Sequence, residues 1–186
     1  MSRTFRSFLL FTAVLAGALS SGCSDAGTPT VAPVGFPAFS ESDVEIIAKF
    51  KERPQTTYGW AKAWIGPRGG RLDFLGFAIE VPAGAVDKVT MFSIQVPMDR
   101  TGAERVMAEF GPHNRTFAQP VIIELPLRNT TIESSTAPTI VWWNDAWVNM
   151  GAAVTADGQR LRTAVDHFST YGTTTARVGT ITVSGG

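Results

Sequence analysis

From Gly69 to Val86 the chain never runs more than five residues without a glycine or a proline. Gly69-Gly70, Gly76, Pro82 and Gly84 punctuate two short apolar runs, Leu72 to Phe74 and Phe77 to Val81. Glycine enters positive φ without a Cβ penalty, and proline removes a ladder donor, so each breaker marks a turn. Runs of this length between turns read as short antiparallel strands.

The same punctuation continues to the end of the chain. Tyr58, Trp60 and Trp64 share one parity in the run Tyr58 to Ile65, which Gly66-Pro67-Arg68-Gly69-Gly70 then turns. That glycine cluster lacks the Gly-Lys-Ser/Thr and following helix of a phosphate loop. Between Val89 and Val96, Val89, Met91, Ser93 and Gln95 alternate with Phe92, Ile94 and Val96. Further strands are expected over Val106 to Phe110 and, after Phe117 and through Pro120, over Val121 to Leu127. Thr139 to Trp143 and Trp147 to Met150 form a hairpin around Asn144-Asp145-Ala146. Ala153 to Ala156 and Gln159 to Val165 flank Asp157-Gly158, a favoured two-residue hairpin turn. Phe168 to Thr174 and Val178 to Val183 close the series. Eleven prolines, eighteen glycines and many threonines and valines support the same class. The expected fold is all-β, an antiparallel β-sandwich of about ten short strands over residues 58–186.

The amino terminus has a different grammar. Arg3 and Arg6 precede a charge-free run from Phe8 to Leu19. As a helix it would span about 18 Å, short of the ~30 Å hydrocarbon core, so residues 1–22 read as a secretory signal peptide. The run ends in Leu19-Ser20-Ser21-Gly22-Cys23, which resembles a bacterial lipobox, with Ser20 where leucine is usual. The resemblance implies that Cys23, the single cysteine, is diacylated and becomes the mature N-terminus, anchoring the protein to the cell envelope. With Ser24 next, diderm sorting rules imply outer-membrane delivery. No intrachain disulfide can form, so the core alone must hold the fold. Residues 23–57 read as a linker. Ser, Gly, Thr, Pro and Ala dominate as far as Ala38, and Ser42-Asp43-Val44-Glu45 then opens either a capped helical turn or an edge strand.

Loss of Arg3 and Arg6 with the signal peptide leaves 14 basic against 16 acidic side chains. That balance supplies no electrostatic field for nucleic acid and no polybasic membrane patch.

Gly69-Gly70-x-Leu72, Gly76 and Val81-Pro82-Ala83-Gly84-Ala85-Val86 together resemble the first half of a ZU-five domain, the β-sandwich shared by ankyrins, zonula occludens protein and netrin receptors. Phe110-Gly111-Pro112-His113-Asn114-Arg115-Thr116-Phe117-Ala118-Gln119-Pro120-Val121-Ile122 is similar to that family's Gly-Pro-x-Gly-x-x-Phe-x-x-Pro-Val block. Asn114 replaces a glycine there, a change that the left-handed region tolerates. Trp142, Trp147 and Asp166-His167-Phe168-Ser169-Thr170-Tyr171 resemble the closing segments of bacterial members. The similarity spans about residues 60–174. It implies a non-catalytic module for protein interaction or adhesion, with an envelope or surface protein as partner.

Two other chemistries compete with that expectation. Some ZU-five proteins resemble this chain at His167-Phe168-Ser169 and cleave themselves there, which implies Ser169 as nucleophile, His167 as base and Phe168 packed to strain the bond. Read as a strand, Asp166 and His167 point to opposite faces, so a hydrolase triad is not expected. Flat indole rings stack on pyranose faces, which makes Trp142, Trp143 and Trp147, with Tyr58, Trp60 and Trp64, candidate carbohydrate-binding aromatics, against the structural reading in which they pack, as sandwich cores commonly bury tryptophan. The histidines, His113 and His167, stand apart and no carboxylates cluster at ligand spacing, so neither a metal nor a cofactor is expected. Glu80, Glu109 and Glu124 sit singly in strands and read as solvated polar-face residues.

Overall fold

Alternation in the strands decides the architecture. In β4 (Thr90–Gln95), Phe92 and Ile94 are fully buried while Met91, Ser93 and Gln95 stay partly exposed. That is the period of a strand with one face on a core. A computed structural model describes residues 39–57, 59–99 and 102–176. The signal peptide, Cys23, the tether to Ala38, Tyr58 and the Val178 to Val183 run lie outside the described residues.

Among the described residues, eleven strands form two antiparallel sheets, and one helical turn precedes them. β1 (Trp60–Ile65), β4, β5 (Met107–Gly111), β11 (Thr170–Thr175), β7 (Pro138–Trp143) and β8 (Trp147–Asn149) lie in that order in the six-stranded sheet. The five-stranded sheet runs β2 (Gly70–Phe74), β3 (Phe77–Val81), β6 (Thr116–Pro126), β10 (Arg160–His167) and β9 (Ala153–Val154). Side chains from the two inner faces meet in a single aromatic-rich core. Phe110 lies 5.9 Å from Phe168 and 5.7 Å from Tyr171, and Phe168 lies 4.8 Å from Phe117, ring centre to ring centre.

The turns follow the breakers, with two departures. Leu75-Gly76, both at positive φ (51° and 88°), join Phe74 and Phe77 as a two-residue turn of the primed type. At Asp157-Gly158 only Gly158 has positive φ, and its N–H donates to the Thr155 carbonyl at 2.8 Å. That connection is therefore wider than the expected two-residue turn, and the Asp157 carboxylate braces it by accepting from the Thr155 hydroxyl at 2.6 Å. Pro120 lies inside β6 rather than at its entrance. Its missing N–H falls where the β6–β10 register shifts, between the pairs Val165–Val121 and His167–Thr116, so no ladder bond is lost.

Residues 39–50, read as part of a linker, belong instead to the packed domain. The capping box is built on Ser40 rather than Ser42: Asp43 accepts from the Ser40 N–H at 2.8 Å, and Ser40 Oγ accepts from the Asp43 N–H at 3.3 Å. One turn follows, α1 (Glu41–Val44), and then isolated bridges pair Lys49 with Arg105 and Phe50 with Thr130. Both alternatives for this segment are thus realised in sequence. Val44 and Ile47 are buried because they close the outer face of β5, β7 and β8.

Candidate functional site

The side chains on the outside of the six-stranded sheet divide it into a covered and an open half. Over β5, β7 and β8, Val44 and Ile47 pack on Met107, Val141 and Trp147. Phe39 stacks on Trp147 at 5.7 Å and meets Trp143 edge-on at 5.0 Å. The Trp147 indole N–H donates to the Asp43 carbonyl. Trp147 is only 9% exposed. Trp142 faces inward instead, with its ring edge-on to His167 at 5.0 Å. The β7–β8 tryptophans are therefore packing residues, the structural one of their two readings, and do not form the flat exposed platform of the carbohydrate-binding alternative.

The open half lies over β1 and β4. Ala61, Ala63 and Ile65 pack inward, so Trp60, Lys62 and Trp64 face out. Trp60 is 44% and Trp64 72% exposed. The Lys62 ammonium sits 4.7 Å above the Trp60 ring, a cation–π contact. Cross-strand register then carries a row inward from the edge: Trp60 pairs with Gln95, and Gln95 with Glu109. Residues paired across an antiparallel ladder share a face, so indole, amide and carboxylate lie on one surface.

Glu109 corrects the expectation of a solvated carboxylate, being only 4% exposed. Its Oε1 lies 2.9 Å from His113 Nε2, close enough for a charge contact but not aligned for an N–H donor bond. Glu109 Oε2, Gln95 Oε1 and His113 Nε2 are all buried without a hydrogen-bond partner. A buried polar atom left unpaired costs about 1–3 kcal/mol, so three of them in one small region mark a place where the fold has kept capacity for bonds it does not make itself. Asn114, at φ 55°, turns the chain beside His113. A shallow groove of about 300 Å³, lined by Trp60, Gln95, Pro97, Met98 and Asp99, opens at the Trp60–Gln95 end of β1 and β4.

The outer face of the five-stranded sheet carries a charge lattice. Glu124 is buried beneath two arginines, accepting from Arg71 Nη2 at 2.6 Å and Arg160 Nη1 at 2.9 Å. Asp73 accepts from the same two side chains at 2.8–3.0 Å. Of the three strand carboxylates, only Glu80 remains on a solvated face. Burial pushes the Glu124 carboxyl up, but hydrogen bonds from Arg71 and Arg160 and their charges outweigh it, so its pKa falls below 4.5. The Arg71 hydrogen bond holds Asp73 below 3.8 against the opposing effect of burial. A depressed carboxylate pKa adds stability above the unfolded value that is lost as pH drops through the folded one. Urea unfolding should therefore show constant stability down to about pH 4.5 and a decline below it. Glu124→Gln should be less stable at pH 7 and show a shallower acid decline; equal slopes for the two proteins would refute this assignment.

At the end of β10 the shifted register brings neighbours together that a regular strand would separate. His167 Nδ1 lies 2.7 Å from Asp166 Oδ1 and holds the Asp166 carboxyl below its usual range, so the expectation that these two cannot meet is corrected by the bulge. The Ser169 hydroxyl does not extend that pair; it donates to the Trp143 carbonyl at 3.1 Å. A backbone carbonyl accepts a hydrogen bond but cannot take up the proton as a general base. Phe168 is buried in the core, and the Tyr171 hydroxyl donates to the His167 carbonyl at 2.9 Å, tying the corner down. Burial pushes the Tyr171 phenol far above its usual pKa.

Among the described residues, no group of three or more His, Cys, Asp or Glu side chains is placed to hold a metal ion, and no helix is long and apolar enough to cross a membrane. The shared parity of Trp60 and Trp64 was legible in the sequence, but their exposure and the Gln95–Glu109–His113 cluster were not. Its only sequence signal is a lone glutamate in an otherwise buried strand, and that acquires meaning only when β4 becomes its neighbour. No protein-family model matches the chain, and no curated protein matches it.

Proposed function

We propose that this protein is a non-catalytic binding module of the bacterial cell envelope: a ZU-five-like β-sandwich, tethered through a lipidated Cys23, that presents the open half of its six-stranded sheet to a partner. The observation that carries this reading is the exposure of Trp60 and Trp64 on one face of an edge strand. The tryptophans of β7 and β8, by contrast, are packed. Large apolar side chains gathered on a surface mark interaction sites. Among the described residues, four of the seven exposed large hydrophobics, Trp60, Trp64, Val89 and Met98, belong to β1, β4 or their flanks. This surface supports the binding role, and the Leu19 to Cys23 motif supports the tether.

The tether has a direct test. Cys23→Ser should abolish labelling by a radioactive fatty acid and move the protein from the membrane to the soluble fraction, because anchoring of this kind needs more than one acyl chain. Unchanged membrane association and processing would refute it. The non-catalytic part is tested by intact mass: the purified protein should give one uncleaved species, identical in behaviour to Ser169→Ala. Two fragments meeting at the Phe168–Ser169 bond would establish self-cleavage instead.

A further inference from the structure

We propose that the ligand of this open face is a glycan strand, laid along β1 with its rings against Trp60 and Trp64 and its hydroxyls toward Gln95 and the Glu109–His113 pair. The inference rests on the reading of this face as a binding surface and adds the chemical class of what it binds.

Trp60 and Trp64 are four residues apart on one strand, which at ~3.3 Å per residue sets their Cα atoms about 13 Å apart. That separation is the length of a short oligosaccharide, so the two indoles can engage different rings of one strand. Pyranose rings present C–H faces to aromatic surfaces and hydroxyls at their rims, and a site for them needs flat apolar area beside hydrogen-bonding groups. The face supplies both. Lys62 lies between the two tryptophans, and Ser93 and Gln95 pair with Lys62 and Trp60 across the ladder. One strand further in, Glu109 lies nine-tenths buried, with Oε2 unpartnered. His113, partly exposed, lies against its other oxygen. A carboxylate accepts only, and Gln95 can accept as well as donate, which suits the hydroxyls of a sugar.

A protein partner is the less fitting occupant. Protein hot spots seat an aromatic anchor in a closely packed, desolvated pocket. Here the rings are exposed, the adjoining groove is shallow, and the row beside them is polar.

The test uses the full-length lipidated protein in detergent. Probes are native affinity gels cast with hydroxyethylcellulose, glycol chitin or xyloglucan, and sedimentation with purified peptidoglycan sacculi. At least one polysaccharide should retard or retain the protein. Trp60→Ala and Trp64→Ala should each weaken retention about tenfold, the equivalent of ~1.4 kcal/mol, and the double variant should abolish it. Gln95→Ala and the near-isosteric Glu109→Gln should weaken it several-fold. Both tryptophans are exposed, so the melting temperature of their variants should be unchanged, which separates lost binding from lost folding. Absence of retention by every probe, or retention indifferent to the double tryptophan variant, overturns the glycan assignment. So does a dimer in sedimentation velocity that dissolves on Trp64→Ala. If no saccharide is retained but a photo-crosslinker at position 64 joins an envelope protein, the glycan is wrong and the binding module stands. If the crosslinker captures nothing either, both readings fall.

Discussion

Gly69→Ala is expected to destabilise the domain by about 3 kcal/mol, combining the cost of a side chain in the left-handed region with that of forcing an atom into a packed space. Gly69 sits at φ 79°, and a Cβ there would lie 2.4 Å from the Val81 carbonyl oxygen and 2.9 Å from the Ala83 nitrogen. Both obstacles are backbone, so relief requires the strand end itself to move. The local bonds that would be disturbed include Gly69 N–H to the Gly66 carbonyl at 2.9 Å and Gly84 N–H to the Pro67 carbonyl at 2.8 Å. Gly70→Ala is the control. Its Cβ would meet the Ile65 side chain, not backbone, at 3.1 Å, a contact relieved by a shift of a few tenths of an ångström, and its φ lies outside the left-handed range. Thermal unfolding should fall by about 10 °C for Gly69→Ala in a domain of this size and by much less for Gly70→Ala. Equal shifts for the two would show that the positive φ is not what selects glycine at position 69.

Phe168→Ala is expected to cost about 3–5 kcal/mol, the range for truncating a buried phenylalanine. The ring touches Phe92, Phe110 and Phe117, at centroid distances of 6.0, 5.9 and 4.8 Å. Its removal therefore leaves a cavity that residues from β4, β5 and β6 would have to collapse into. Phe168→Leu keeps most of the volume and should cost much less. Ser169→Ala removes one hydrogen bond, to the Trp143 carbonyl, and should cost about 1 kcal/mol. Urea unfolding of the three variants gives the ordering, Phe168→Ala far below Phe168→Leu and Ser169→Ala. A Phe168→Ala protein as stable as the parent would mean that this corner is held by something other than its core ring. The motif His167-Phe168-Ser169 thus has a sufficient structural account: a core ring, a hydroxyl closing onto a neighbouring strand, and an imidazole paired with Asp166.

The strands were legible because short-range rules cover them. Alternation in Val89 to Val96 and the breakers of Gly69 to Val86 are properties of neighbouring residues. They locate strands and turns before any partner is known, and nearly every strand expected within the described residues is present. The errors fall where a local signal competes with a tertiary one. Asp157-Gly158 has the composition of a tight turn, but the Asp157 carboxylate and the Thr155 hydroxyl bond each other and brace a wider loop. Ser42 and Ser40 are both competent caps; Ser40 is used because the turn that begins after it places Val44 on the sheet. Asp166 and His167 meet because the register shifts between Val165 and His167, and a bulge leaves no reliable mark in composition.

What the sequence by itself determined is therefore the all-β class, the strand positions and, where a strand alternates as β4 does, the two sets of residues that share its faces. Period-two patterning and turn chemistry are local, and a one-residue slip would expose the whole core. Tertiary structure alone decided which polar residues share a surface. Glu124 is buried because Arg71 and Arg160 arrive from β2 and β10, and Glu109 because β4 and the His113 turn close beside it. The same long-range pairing separated two sets of tryptophans that look alike in sequence. Residues 39–50 fold back over Trp143 and Trp147, while β1, at the far edge of the same sheet, leaves Trp60 and Trp64 facing out.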